Sequence, residues 1–200
     1  MENISYDSAC RGNGNGGFSR RDFVAMGVMA AMANGTGCVS GQRRPASAVG
    51  GRSFKTITIS TTDCLFEREP MVRPFGFKGG YLTEEWVVAS CVRSSSGKFG
   101  IGLGTQSCLW SDASVFSSTS EAGGNALMFA MTQHALKLIE GRSFVSPVEL
   151  NDWLWPQVWE YGKRITSNPK LRATFALNAL VSVDNAIWVL FARENGLASF

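Results

Sequence analysis

Two hundred residues and 21.6 kDa, 44% hydrophobic and 18% charged, suffice for one well-buried core and fall short of a complete (β/α)₈ barrel, typically ~250 residues. The formal net charge of +3 sits in residues 1–53, where six arginines face Glu2, Asp7 and Asp22; the remainder balances thirteen basic against thirteen acidic side chains. A body without excess positive charge argues against a nucleic-acid partner, and no run approaches the ~18 consecutive apolar residues of an integral membrane span.

Ten of the 22 glycines fall within residues 1–53 and all six tryptophans lie beyond them, which separates a leader and linker (1–53) from a core-forming body (54–200). In the leader, Ser19-Arg20-Arg21-Asp22-Phe23-Val24 opens an apolar stretch of eleven residues, Phe23 to Ala33. A charged segment ahead of so short an apolar run reads as an export signal. The paired arginines resemble the twin-arginine motif S-R-R-x-F-L-K, with Val24 in place of Leu and Ala25 in place of Lys, so a periplasmic or otherwise exported destination is expected. Ala31-Met32-Ala33 and Ala46-Ser47-Ala48 both offer small residues for cleavage. Five cysteines without a C-x-x-C pair indicate neither a zinc site nor a redox couple, and Cys64, Cys91 and Cys108 read as small buried side chains.

The body begins with partial alternation from Phe54 to Leu65, where Ile57 and Ile59 face one way and Thr56, Thr58 and Ser60 the other. Trp86 to Val92 forms a second strand and Phe99, Ile101 and Leu103 mark a third, joined through Ser94-Ser95-Ser96-Gly97-Lys98 as a hairpin loop. A long loop, Glu67 to Thr83, with Pro70, Pro74 and three glycines, is expected between the first two. Helical spacing starts near Asn125 and runs to Glu140, with Gly141 as its stop. Ser146-Pro147-Val148-Glu149 is a capping box opening a second helix, which Pro156 should kink or restart. A third runs from Asn168-Pro169 to Asn195-Gly196 and is apolar nearly all round, so it requires neighbours on several sides. The fold class is therefore α+β: a three-stranded antiparallel meander followed by a helical bundle.

Chemistry is sparse. The single histidine, His134, has no orienting partner in its own helix and reads as structural. Gly100-Ile101-Gly102-Leu103-Gly104 lies in a strand with no helix directly after it, so close packing explains it better than a phosphate loop. Asp184 falls in the most apolar helix, where it must be hydrogen-bonded and reads as a polar anchor. The three tryptophans 153, 155 and 159 fall on more than one helix face, which suits a core or interface better than a sugar platform. No catalytic residue and no metal-ligand set is assigned.

The order of elements and the stretch Ala179-Leu-Val-Ser-Val-Asp184-Asn-Ala186-Ile-Trp188 resemble the N-terminal capping domain of the enolase superfamily, in its mandelate racemase and muconate-lactonizing branch. Ala179, Val183, Asp184, Ala186, Ile187, Trp188 and Leu190 follow that branch's A-x-x-A-[IV]-D-x-A-[LIC]-W-D-L pattern; Val189 stands where the family has Asp. The resemblance covers roughly residues 54–196. It implies two specificity loops that close over a barrel mouth: Phe75-Gly76-Phe77-Lys78-Gly79-Gly80-Tyr81 and Thr105 to Asp112, with Phe75, Phe77, Lys78, Tyr81 and Trp110 as the residues facing substrate. It also implies a parent reaction, Mg²⁺-assisted abstraction of a proton α to a carboxylate, leading to racemisation, dehydration or cycloisomerisation. The family's Mg²⁺ ligands and bases belong to the barrel, and none of those motifs can be placed here, so no cofactor is assigned to this chain. The expectation is a truncated or split capping domain, inactive alone, whose partner is a missing or separately encoded barrel. The exposed apolar face of the last helix is expected to drive self-association. The rival readings are a half-enzyme completed in trans and a small non-catalytic binding module.

Overall fold

A computed structural model of the chain describes residues 53–198; the export-signal motif and both cleavage positions lie outside the described residues. Strand β1 (Ile57–Phe77), β2 (Gly80–Ser94) and β3 (Phe99–Gln106) are followed by α1 (Cys108–Ser111), α2 (Ala113–Ser118) and α3 (Glu121–Ile139). A two-residue strand β4 (Ser143–Phe144) then leads to α4 (Pro147–Ile165) and α5 (Ala173–Asn195). The sheet is antiparallel with order β3-β2-β1-β4, so the α+β meander has the expected three strands plus a short fourth. That fourth strand is a by-product of helix termination. Gly141, at φ 78°, turns the chain out of α3 so that its N–H donates to the Ile59 carbonyl and Arg142 accepts from Ile59 N–H, which seats Phe144 opposite Ile57.

The expected loop from Glu67 to Thr83 is instead a paired hairpin arm. β1 and β2 shift register between Ile59 and Thr61, run in register from Thr61↔Arg93 through Pro70↔Glu84, shift again between Pro70 and Phe75, and pair from Phe75↔Leu82 to Phe77↔Gly80. Proline is tolerated because β1 has a sheet neighbour on its other side only at Ile57 and Thr58 among the described residues. The prolines thus mark an edge and a bulge, where the composition suggested a loop.

Helix starts follow their caps. Ser120 Oγ accepts from Gly123 N–H and Ser146 Oγ from Glu149 N–H, with Pro147 at the first helical position. Helix α4 runs through Pro156 and does not restart there. The carbonyl that loses its partner belongs to Asp152, an exposed position open to water, and Gln157 Nε2 donates to the next carbonyl, Trp153, at 2.8 Å.

Helix α5 meets the need for neighbours on several sides. It lies on β3 and β2 and is flanked by α3, α4 and α1. By length and composition it could cross a membrane, yet Phe175, Ala176, Ala179, Val183, Ala186, Ile187 and Leu190 are wholly buried in the core with Met128, Met131, Ile139 and Leu154. Its start at Ala173, four residues later than the sequence suggested, follows from Asn168 closing a turn with Leu171.

The glycines of β3 explain how sheet and helix meet. A Cβ on Gly100 would sit 2.0 Å from the Ala186 carbonyl oxygen, and one on Gly102 would sit 2.1 Å from that of Ser182. Helix backbone therefore lies directly on strand backbone, as the close-packing reading of these glycines expects.

Candidate functional site

The arm of β1 and β2 ends in a two-residue turn, Lys78-Gly79, at φ 48° and 81°. Positive φ at both central positions is the type I′ arrangement, whose twist matches that of antiparallel strands. Gly79 adopts it freely, whereas Lys78 does so against its Cβ. Period-2 alternation then puts Phe75 and Phe77 on one face. Gly80 shares that face, and a Cβ there would meet Phe116 at 2.9 Å and Leu109 at 3.1 Å, so the base of the turn seats directly on α1 and α2.

The segment after β3 is also ordered by identifiable bonds. Asn125 Oδ1, buried on α3, accepts from Cys108 N–H at 2.8 Å. Asn178 on α5 accepts from Ser107 N–H and Ser111 Oγ and donates to the Thr105 carbonyl, tying both ends of the segment to one side chain. Thr174 Oγ1 donates to Ser111 O at 2.8 Å. Asp112, 2% exposed, accepts from Ser114 N–H and from Arg172 N–H. Burial opposes ionisation of Asp112, but the Ser114 hydroxyl and the amides of Arg172, Ser114 and Val115 outweigh it and hold the carboxyl below its ordinary value. The short helix α1 thus stands inside the Thr105 to Asp112 segment that the resemblance reads as a loop, and α2 follows it.

These two segments meet. The rings of Phe77 and Trp110 stack with centroids 4.4 Å apart and 17° between planes, and Phe75 lies 6.3 Å from Phe77. Lys78 Nζ donates to the Trp110 carbonyl at 3.2 Å and sits 5.0 Å from the Phe77 ring. Of the five residues expected at the site, Phe75, Phe77, Lys78 and Trp110 are therefore together. Tyr81 is not with them. It pairs with Gly76 on the opposite face, its ring over that glycine, and is 65% exposed.

Between the turn, α1 and the first turns of α5 runs an open groove of about 470 Å³, bordered by Phe77, Lys78 and Trp110 on one side and by Arg172, Thr174 and Leu177 on the other. Arg172, Thr174 and Asn178 escaped the sequence reading. Asn178 left a trace, as a polar residue inside an otherwise apolar helix pattern; Arg172 left none.

Elsewhere the titratable groups are structural. His134 stacks on Tyr161 at 3.9 Å; burial, then the charges of Arg164 and Lys137, push its pKa down, so the ring is neutral near pH 7. Asp184 accepts from Asn151 Nδ2, linking α4 to α5, and burial holds its carboxyl above the ordinary value. Burial pushes the Cys64 and Cys108 thiols up to about 12, with Asp63 adding to the first and Asp112 and Glu121 to the second, so neither is a thiolate at neutral pH. Trp153, Trp155, Trp159 and Trp188 pack against the core, leaving Trp110, 58% exposed, as the outward-facing tryptophan among the described residues.

The Mg²⁺ that the resemblance implies finds no fit among the described residues: no three acidic, histidine or cysteine side chains converge. Glu84 is bonded to Arg68 and Trp86, and Glu121 to Thr83. No chemical step through a metal follows from these residues.

The described residues form an α+β domain, an antiparallel sheet packed against α5 and α3 and ending in an aromatic hairpin tip that carries Lys78. No family model matches the chain, and no curated protein does. Among solved structures it is similar to L-talarate/galactarate dehydratase from Salmonella typhimurium LT2, liganded with Mg and L-lyxarohydroxamate, at 15% identity and a TM-score of 0.44 over 78% of this chain and 35% of that one. It is similar also to a mandelate racemase/muconate lactonizing enzyme from Polaromonas sp. JS666, at 14% identity and a TM-score of 0.41 over 68% and 30% of the two chains. A dipeptide epimerase from Enterococcus faecalis V583 follows at 15% and 0.39, over 66% and 30%. These are enolase-superfamily proteins. The chain spans about a third of their length.

Proposed function

We propose that this domain is a capping domain of the mandelate racemase and muconate-lactonizing kind, working against a barrel supplied by another segment or another chain and inactive alone. One observation carries the reading: the two segments that the resemblance assigns to a lid are in contact through Phe77, Lys78 and Trp110, on the same side of the domain. Aromatic side chains around a lysine suit a lid that excludes water and touches an organic anion. The reaction class is Mg²⁺-assisted α-proton abstraction from a carboxylate, with metal ligands and base on the barrel. Export through the twin-arginine pathway belongs to the same reading and rests on Ser19-Arg20-Arg21-Asp22-Phe23 alone. Leu177 and Val181, the exposed large apolar side chains of α5, are the part of that helix open to a barrel or to a second copy.

The test has two arms. The purified chain with Mg²⁺ in D₂O should leave the α-protons of acid-sugar and dipeptide carboxylates unexchanged by NMR; measurable exchange would overturn the claim that the domain is inactive alone. The coding sequence adjoining this one should encode a barrel. Unrelated neighbours would favour a free-standing binding module instead.

A further inference from the structure

The two margins of the sheet are finished differently. Along β3, side chains of α5 close the outer row of carbonyls: Asn178 donates to Thr105 O, Asn185 to Leu103 O and Arg193 to Phe99 O, at 2.9, 2.8 and 2.7 Å. Along β1, no strand stands beside the chain beyond Thr58 among the described residues. We propose that residues 62–66 of this margin pair antiparallel with the same residues of a second copy of the chain, about a twofold axis through Cys64.

Backbone direction fixes which residues can pair. Cys64 N–H donates to Asp63 Oδ1 at 2.8 Å, so it is not spent on β2 and points to the open side. Bonding direction alternates along a strand, so Thr62 and Phe66 present their N–H and C=O groups to the same side. The stretch is bounded at both ends. Before it, the Ile59 backbone is bonded to Arg142 and Gly141. After it, the outward position that follows Arg68 is Pro70, which has no N–H to give.

Charge then selects one register. Thr62 Oγ1 donates to the Leu136 carbonyl and the Phe66 ring meets Phe129, so the even positions face α3. Asp63, Leu65, Glu67 and Glu69 therefore share the other face, three acids in a row of four. With the axis through Cys64, Asp63 falls opposite Leu65 of the second copy and Thr61 opposite Glu67, and no acid meets an acid. An axis at 63 sets Asp63 against itself, one at 65 sets it against Glu67, and one at 66 against Glu69. Like charges directly opposite destabilise a strand pair, so these three registers are disfavoured. An axis at 62 would need the backbone of Ile59, which is already bonded. The remaining register also lays Thr62 of the second copy beside Phe66, an exposed ring on the margin. Asp63 competes with the pairing, because its carboxylate must release the Cys64 N–H before that group can reach the second copy.

A pairing this short belongs among transient interfaces, under ~1,200 Å² in all, so it is read by sedimentation velocity on the full chain at concentrations up to about 500 µM. The chain should show a monomer–dimer equilibrium in that range. Cys64→Pro removes the central N–H without touching a bond to β2, and should abolish the dimer. Leu65→Lys, which meets Asp63 of the second copy twice over, should tighten it about fivefold, and Leu65→Glu should loosen it by a similar factor. Asp63→Ala, which frees the Cys64 N–H, should also tighten it about fivefold. Tightening to a discrete dimer cannot be laid to unfolding. Leu177→Ser, on the exposed face of α5, should leave the equilibrium unchanged. A monomer throughout, a dimer that survives Cys64→Pro, looser association in Leu65→Lys, or a dimer dissolved by Leu177→Ser would each overturn the proposal. None of these outcomes bears on the α-proton and coding-sequence tests of the lid reading.

Discussion

Asn151 and Asp184 share a single hydrogen bond, and the amide oxygen of Asn151 is left buried without a partner. The arrangement is frustrated: a carboxylate can accept from the amide but has nothing to give back. Burial raises the Asp184 pKa, so the folded state binds this proton more tightly than the unfolded chain does. Its contribution to stability is therefore fully present in acid, below the ordinary carboxylate value, and is lost as pH rises from there through the raised value of the folded state. Asp184→Asn removes the charge and supplies a donor for the orphaned oxygen. It should raise stability at pH 7 by on the order of 1 kcal/mol, read as a higher urea midpoint, with the gain shrinking toward pH 4; a loss of stability at pH 7 would contradict this account. The need for a partner was legible at residue 184 from its apolar setting. One donor, Trp188, stands four residues on along the same helix; the other, Asn151, lies on a different helix with no spacing to announce it.

At the level of elements, the contact between β3 and α5 organises the domain. Gly100, Gly102 and Gly104 admit the helix, Ser90 and Ser182 exchange a buried hydroxyl bond at 2.8 Å, and Asn185 donates to the Leu103 carbonyl. Gly102→Ala would push a methyl against the Ser182 carbonyl and the Ala186 amide, both backbone, so the helix must move as a body. The expected cost is about 3 kcal/mol, at the upper end of overpacking effects, or a Tm lower by roughly 10 °C. Thermal unfolding followed by circular dichroism reads it, and a shift under 2 °C would refute the packing argument. Alternation and caps made the strands and helix starts readable in advance. The arm between Glu67 and Thr83 was not, since Pro70, Pro74 and the glycines carry the composition of a loop while tertiary pairing holds them in a strand. The helix does not restart at Pro156 for a similar reason: the rule that proline ends a helix assumes an orphaned carbonyl in the interior, and that of Asp152 lies at an exposed position. Within the site, Phe75, Phe77, Lys78, Tyr81 and Trp110 were reached through the family resemblance alone, and the strand alternation that sets Tyr81 on the face opposite Phe77 was hidden by the loop reading. Arg172 joined through a fold contact that only the placement of α5 creates.

For the domain as a whole, acid response follows from three carboxyls shifted opposite to Asp184: Glu84, Asp112 and Glu194. Glu194, 7% exposed at the end of α5, accepts from the hydroxyls of Ser94 and Ser96 and lies 3.8 Å from Lys98, clamping the last helix to the turn between β2 and β3. Burial opposes its ionisation, but those hydroxyls, then Lys98 and Lys55, hold its pKa below the ordinary value, as the bonds to Asp112 do for that residue. A lowered folded pKa means stability that is fully present above the unfolded value and lost as pH falls through the folded one. The urea midpoint should accordingly hold steady near neutrality and fall below about pH 4. Glu194→Gln should cost on the order of 1 kcal/mol at pH 7 and flatten that acid limb; an unchanged limb would mean the clamp carries no linkage.

The long first strand has one more consequence. Beyond Thr58 its outer margin has no strand beside it among the described residues, and a bare margin of backbone amides and carbonyls is a template on which foreign chains can polymerise. Along it the sequence sets Arg68, Glu69, Pro70, Arg73 and Pro74. Charge and missing amide protons on that rim act as gatekeepers, allowing the arm to reach out to its tip without seeding fibrils along the way.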